Sequence, residues 1–411
     1  MNPSERRILL VTCFGHLMSH YNMLVFPALI LPLSVKLQLP MSEVLGLSFP
    51  MYLLFGLMAL PWGMIGDKWG AKPLMLLQFL GSGIFGLAAA IYIDSPSRLA
   101  WALAGVGLFS AIYHPIGLGM ISKGVERVSL AMGYNAVFGG LGLVVAPLVT
   151  GLTVWISGPT AAFLILAGLN LVGVAFMVLL PIERTSARQT RRREEDNGMV
   201  GAFLILLVAM MLGGIAYRGA TVILPAYLEL NGKGIFEALS GLSGGALSSN
   251  LVATSLTAMI YAVGMVGQYV GGHVGERFER RYAYLLFHAI CIPAVLLMSV
   301  AHNLPLVALG FVYLFFLLGM QPIENTLVAT FAPRRLHHSA YGMKFILTFG
   351  VGALAVKMIQ RIEAAWSIEA AFVSLGIISV ILVGAIVVLI AWTNRAAVQS
   401  GPHIGPVLTD K

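Results

Sequence analysis

The sequence predicts an all-α polytopic membrane protein with twelve transmembrane helices in two pseudo-symmetric six-helix halves. Three observations predict it. Apolar runs of membrane-spanning length recur from Ile8 to Trp392, separated by short polar stretches. The hydrophobic fraction is 58%, the charged fraction 10% and the mean hydropathy +0.89. Landmarks of the first half return in the second. A bilayer needs roughly 20 apolar residues per helix. Within it only helices or closed barrels satisfy every backbone group, and barrel strands would be about half as long and alternate in polarity.

Spans are expected at 8–36, 44–66, 73–93, 98–122, 130–157 and 160–181, then at 199–228, 250–275, 283–301, 305–331, 339–362 and 368–392. The first follows Pro3–Arg7 directly, with no small-residue cleavage site, so it reads as a span and not as a cleavable signal. Gly, Ser and charge interrupt 228–250, which is expected to be a long loop. Cys13 and Cys291 sit at span positions and imply no disulfide framework.

The net charge of +8 follows from topology and carries no nucleic-acid signal. With both termini inside, eighteen Lys and Arg fall in cytoplasmic loops and four outside. That asymmetry sets the orientation by the positive-inside rule. Arg218, Lys344 and Lys357 remain within spans. The expected organisation is a six-helix half over 1–182, a linker over 183–198, a second half over 199–394 and a tail over 395–411. Linker and tail are placed in the cytoplasm. The linker, with Arg191–Arg193, is polar and mixed in charge, and topology accounts for it.

The halves repeat. His20 to Pro27 matches Arg218 to Pro225, and Gly63-Met-Ile-Gly-Asp67-Lys68 matches Gly272-His-Val-Gly-Glu276-Arg277. His114-Pro115-Ile116 matches Gln321-Pro322-Ile323, and Ala131-Met-Gly133 matches Ala340-Tyr-Gly342. The offsets are 198, 209, 207 and 209. A parallel repeat of this kind places a substrate site between two halves.

On these residues the chain resembles the major facilitator superfamily over essentially its whole length. The loop of the form G-x-x-x-D-[RK]-x-G-x-[KR] stands here as Gly63, Asp67, Lys68, Gly70 and Lys72, with a weaker copy at Gly272, Glu276 and Arg277. The resemblance implies alternating access by rocking of the two halves. Span five, with Gly142, Ala146-Pro147, Thr150 and Gly151, is similar to the Gly-Pro motif of drug/proton antiporters. Together with Gly15-His16 and Tyr113-His114-Pro115, it resembles the fosmidomycin-resistance-like exporters. His20 and Ile116 stand where that branch carries acids.

Asp67, with Lys68 and Lys72 as charge partners, is the expected conformational latch: its carboxylate can accept from the amides of a neighbouring helix N-terminus. Its second copy is Glu276-Arg277. Arg218 is a charge at membrane depth, which needs a cavity or a partner, and is expected to contact an anionic substrate, with Glu324 as the alternative partner. Glu324 is the acid deepest within any span; burial disfavours a lone charge, which suits a proton carrier. The alternative is a structural pair with Lys344 or Arg218. Lys344 either completes an anion-binding cavity or snorkels to the cytoplasm, and Lys357 snorkels outward.

His16 and His20 share one face of span one, and His114 belongs to span four. Three histidines have metal-ligating chemistry, but no acid or Cys cluster accompanies them. Proton coupling at His16 and substrate contact at His20 and His114 are therefore expected, with no metal and no cofactor. Tyr21, Asn135 and Gln321 are further candidates for polar substrate contacts. No phosphate-binding Gly-Lys-Ser loop, catalytic triad or Cys-rich site is present. An enzyme is thereby disfavoured. The expected function is secondary active transport of a small anionic or amphipathic organic solute, by proton-coupled export. The alternatives are a facilitative uniporter or importer, and a non-transporting receptor or assembly factor on the same fold. The expected setting is a monomer among membrane lipid, multi-pass in a bacterial inner membrane, with protons as coupling partner and no nucleic acid.

Overall fold

The computed structural model describes residues 1–180, 199–332 and 343–399. The 183–198 linker, the Ala340–Gly342 landmark and residues 400–411 of the tail lie outside these. Among the described residues every regular element is helical. Eleven helices are long and apolar enough to cross a membrane, and a bent pair supplies a twelfth. The elements are α1 (Pro3–Leu37), α2 (Met41–Leu47), α3 (Phe49–Leu57), α4 (Ala59–Trp69), α5 (Ala71–Ile91), α6 (Pro96–Ser110), α7 (Tyr113–Gly124), α8 (Val128–Ser157) and α9 (Pro159–Leu179). After the linker come α10 (Val200–Asn231), α11 (Lys233–Leu242), α12 (Ser249–Arg277), α13 (Arg280–Met298), α14 (Asn303–Phe331), α15 (Leu354–Ala365) and α16 (Ile368–Gln399). Large apolar side chains such as Trp101 and Leu179 are 77% and 75% exposed. A water-soluble bundle would bury them; here they face lipid.

Local chemistry sets the breaks. Asn2 and Glu5 form a capping box that starts α1, with Pro3 at its first position. Glu5 also accepts from the Glu126 amide at 2.9 Å, which ties the start of α1 to the α7–α8 junction. Span two is α2, α3 and α4, bent by 45° between Leu57 and Ala59. Pro61 has no N–H for the Leu57 carbonyl and its ring crowds that carbonyl, so the helix bends there. Pro115 acts likewise on Ala111 and separates α6 from α7. Span eleven, Met343–Ala365, holds a π turn over Ile346–Gly350 and a 3-10 turn over Val351–Ala353 before α15.

One expectation is corrected. Residues 228–250 are not one long loop: α10 continues to Asn231 and α11 is a ten-residue helix. Its apolar residues Ile235, Leu239 and Leu242 recur at helical spacing between glycines that hide the pattern. Asn303 Oδ1 then accepts from the Gly234 amide at 2.7 Å, pinning α11 to the start of α14. Helix α16 runs on to Gln399, past the last expected span, through residues of good helix propensity.

The two bundles meet at the face opposite the N-terminus. Trp155 Nε1 donates to the Ala246 carbonyl at 2.8 Å, and Asn250 Nδ2 to that of Ala28 at 3.1 Å. Gly151 and Gly56 permit the closest approaches. A Cβ at Gly151 would lie 1.8 Å from Thr254 Oγ1, and one at Gly56 2.0 Å from the Gly350 amide nitrogen. Lys357, expected to snorkel outward, lies on this face with its Nζ 5.3 Å from the Phe49 ring centroid. It donates to Gln360 Oε1 at 2.8 Å.

Candidate functional site

Between the bundles lies a cavity of about 540 Å³ that opens toward the N-terminal face. Small-molecule sites have this size. It is walled by α1, α7, α8, α10, α12, α14 and the π-turn segment of span eleven. Met210, Met265 and Met320 give an adaptable apolar lining, with Phe345 and Phe349 beside them. Val137, Tyr269 and His273, at the mouth, are exposed.

Two polar clusters stand in opposite walls. In the second bundle, Glu324 Oε1 pairs with Lys344 Nζ at 2.8 Å, and Glu324 Oε2 accepts from the Tyr284 hydroxyl at 2.8 Å. Lys344 also donates to Asn325 Oδ1. Glu324 and Lys344 are 3% and 8% exposed, so neither snorkels away. Pro322, two residues earlier, deprives the Leu318 carbonyl of its helical donor and loosens α14 beside the acid. Gln268 donates to Gln321 at 2.8 Å in the same wall.

In the first bundle, His16, His20 and His114 face one another. Their nearest ring nitrogens all lie within 4.8 Å. His16 and His20 are one turn apart on α1, and their Nε2 atoms are 3.2 Å apart. His114 reaches them from the first turn of α7, past the break that Pro115 makes. It stacks on Phe345 at 5.0 Å between centroids. His16 stacks on Tyr113 at 4.8 Å, and its Nδ1 is 2.8 Å from the Asn135 carbonyl.

The other candidates fall elsewhere. Arg218 is 3% exposed and has no described acid within ion-pair distance, so it is not the partner of Glu324. Its guanidinium lies 4.0 Å over the Tyr52 ring and 5.8 Å from that of Tyr217. It sits behind the cavity wall, while Tyr217 lines it. Tyr21 is fully buried outside the lining. The Asn135 side chain is likewise behind the wall, exchanging hydrogen bonds with the Tyr113 hydroxyl at 2.9 and 2.7 Å.

Asp67 is 79% exposed and 3.9 Å from Lys123, not from Lys68 or Lys72. That pair is solvent-exposed, at 47% for Lys123 and 79% for Asp67, and contributes little. Among the described residues Asp67 meets no helix N-terminus of the other bundle. Gly70 caps α4 with φ +85°, which other residues rarely adopt. Glu276 lines the cavity mouth, beside Arg277 at the end of α12. Sequence reasoning missed Tyr284, Gln268 and Asn325. Asn325 had a signal, its adjacency to Glu324; Tyr284 had none, since its register against α14 exists only in the fold.

Two bundles around a shared cavity, closed on one face and open on the other, define a membrane transporter. A family model described as Major Facilitator Superfamily matches residues 11–356. The chain belongs to that superfamily and is a transporter, not an enzyme. No curated protein matches it. Among solved structures, it is similar to a bacterial homologue of the human lysosomal transporter Spinster in an inward-facing, occupied conformation. The TM-score is 0.75 at 14% identity, covering 95% of this chain and 97% of that one. A peptide transporter, POT, in complex with sulfate aligns with TM-score 0.75 at 15% identity over 95% and 94% of the two chains. A nucleoside transporter, NupG, aligns with TM-score 0.73 at 14% identity over 94% and 99%. At such identities the likeness is one of fold.

Proposed function

We propose that the chain is a proton-coupled secondary transporter that exports small amphipathic organic solutes by alternating access. Its setting is a bacterial inner membrane, with both termini and the linker cytoplasmic. The observation that carries the coupling is the Glu324–Lys344 pair in the cavity wall. A buried carboxylate that loses its cation must take up a proton or pay a large desolvation cost. A solute that hydrogen-bonds the ionised carboxylate competes with the proton, and such competition exchanges solute for protons. The Gly-Pro segment of α8 and the His-Pro pair of α7 support the drug/proton antiporter and fosmidomycin-resistance-like branch. The methionine-rich lining suits solutes of varied shape.

The same pair favours a second reading for a purely anionic solute. Such a solute would take Lys344, and Glu324 would then bind a proton. Solute and proton would move together, in the direction of uptake. One experiment separates the two. The protein is reconstituted in vesicles with a trapped pH dye, and a panel of amphipathic and anionic solutes is added under an imposed gradient. Antiport moves protons opposite to the solute, and cotransport moves them with it. Flux that is indifferent to the gradient would refute coupling. Solute binding without flux would instead mark a receptor.

A further inference from the structure

We infer that His16, His20 and His114 form a site for one divalent transition-metal ion of the Zn²⁺ or Co²⁺ kind, with its fourth coordination position facing the cavity. Four observations support this. First, a tetrahedral ion with nitrogen ligands at about 2.0–2.1 Å sets neighbouring nitrogens about 3.4 Å apart. His16 and His20 present Nε2 atoms 3.2 Å apart. All three nearest ring nitrogens lie within 4.8 Å, so the farthest need close by no more than about 1.4 Å. Second, the Asn135 carbonyl, 2.8 Å from His16 Nδ1, accepts only from a protonated Nδ1, which leaves the Nε2 lone pair facing His20. A backbone carbonyl behind the distal nitrogen is the usual orienting partner of a ligating imidazole. Third, His114 Nε2 is buried with no hydrogen-bond partner among the described residues, a cost that ligation would remove. Fourth, all three side chains line the open cavity, so an ion has an entry path.

The donor set also says what completes the shell. Three neutral imidazoles leave the ion its full double charge in a water-poor wall, and no Asp, Glu or Cys belongs to the cluster. Arg218 lies on the adjacent α10 and adds positive charge. The fourth ligand is therefore an anionic group from the cavity side, such as the carboxylate of a solute. Imidazole ligation selects Zn²⁺, Co²⁺, Ni²⁺ or Cu²⁺ over Mg²⁺ and Ca²⁺.

The inference does not rest on export or proton coupling, since it concerns equilibrium binding by the purified chain. Full-length protein in nanodiscs is titrated with Co²⁺, alone and with acetate, and read by visible absorption and equilibrium dialysis. One Co²⁺ per chain is expected, with the intense bands of tetrahedral coordination, and tighter binding when acetate is present. His16→Gln, His20→Gln and His114→Gln should each weaken binding at least tenfold, whereas His302→Gln, on the opposite face, should not change it. X-ray absorption of Zn²⁺-loaded wild-type protein needs no variant to fold, and should count three imidazoles and one light ligand. Absence of one-to-one binding, affinity indifferent to the three histidine changes, or an all-oxygen shell would each overturn the site.

Discussion

At the scale of single residues, the charges within the spans behave in two different ways. Glu324 and Lys344 satisfy each other, so removing one strands the other. Glu324→Gln or Lys344→Met alone should cost about 3–5 kcal/mol of stability, read as a fall in melting temperature. The double variant should regain most of it while transport loses its dependence on the pH gradient. A single variant that melts like wild type would show that the pair is solvated in a way its 3% and 8% exposures do not suggest. Arg218 is the reverse case. It has stacking on Tyr52 but no counter-ion among the described residues. A cation held like this is destabilising relative to an apolar residue of similar volume. Arg218→Met should therefore leave the melting temperature unchanged or raise it, while weakening binding of anionic solutes more than of neutral analogues through loss of positive field from behind the wall rather than loss of a contact. If stability and binding fell together, the arginine would be structural.

At the scale of elements, prolines and glycines place the joints. The bend between α3 and α4 follows from Pro61, and Gly56 in α3 rests against the backbone of span eleven at Gly350. Gly56→Leu should push these segments apart and raise the reactivity of cysteines placed along the opposite face, with transport strongly reduced. Unchanged reactivity would mean that the contact is not part of the seal. Asp67 belongs to the other end of the same span. Being 79% exposed, it contributes little to the stability of this open state. Asp67→Asn should thus change stability by less than about 0.5 kcal/mol, read by thermal melting, and still impair vesicle transport if Asp67 acts as a latch in the closed state. Wild-type kinetics would remove the latch.

At the scale of the whole molecule, the cavity opens on the N-terminal face, and the opposite face carries a seal between the bundles. Trp155 and Ala246 mark that seal at 2.8 Å. A Trp155→Cys/Ala246→Cys pair joined by a short reducible bifunctional thiol reagent should arrest transport and recover on reduction; full activity of the cross-linked protein would refute rocking about this face. Orientation is tested separately. Maleimide applied outside intact cells should fail to label cysteines introduced at 183–197, and labelling there would invert the proposed topology.

How much of this was legible in the chain depends on the range of the interaction. Composition and span length dictate a helical membrane protein, since lipid leaves a backbone no other partner than its own helix. The repeat of Asp67 at Glu276, and of the His-Pro pair at Gln321-Pro322, carries the two-bundle architecture because each half solves the same packing problem. Helix spacing brings His16 and His20 together from sequence alone, four residues being about one turn. Glu324 and Lys344 were legible as charges within spans, and their pairing only as one alternative beside a pair of Glu324 with Arg218. Their pairing, the withdrawal of Arg218 behind the wall and the arrival of Tyr284 at Glu324 depend on how α13, α14 and span eleven turn about their axes. So does the meeting of His114 with the α1 histidines. The sequence by itself determined the spans and the residues too polar to be idle. Only the tertiary structure decided which of them meet, because helix rotation is set by packing against neighbours distant in the chain.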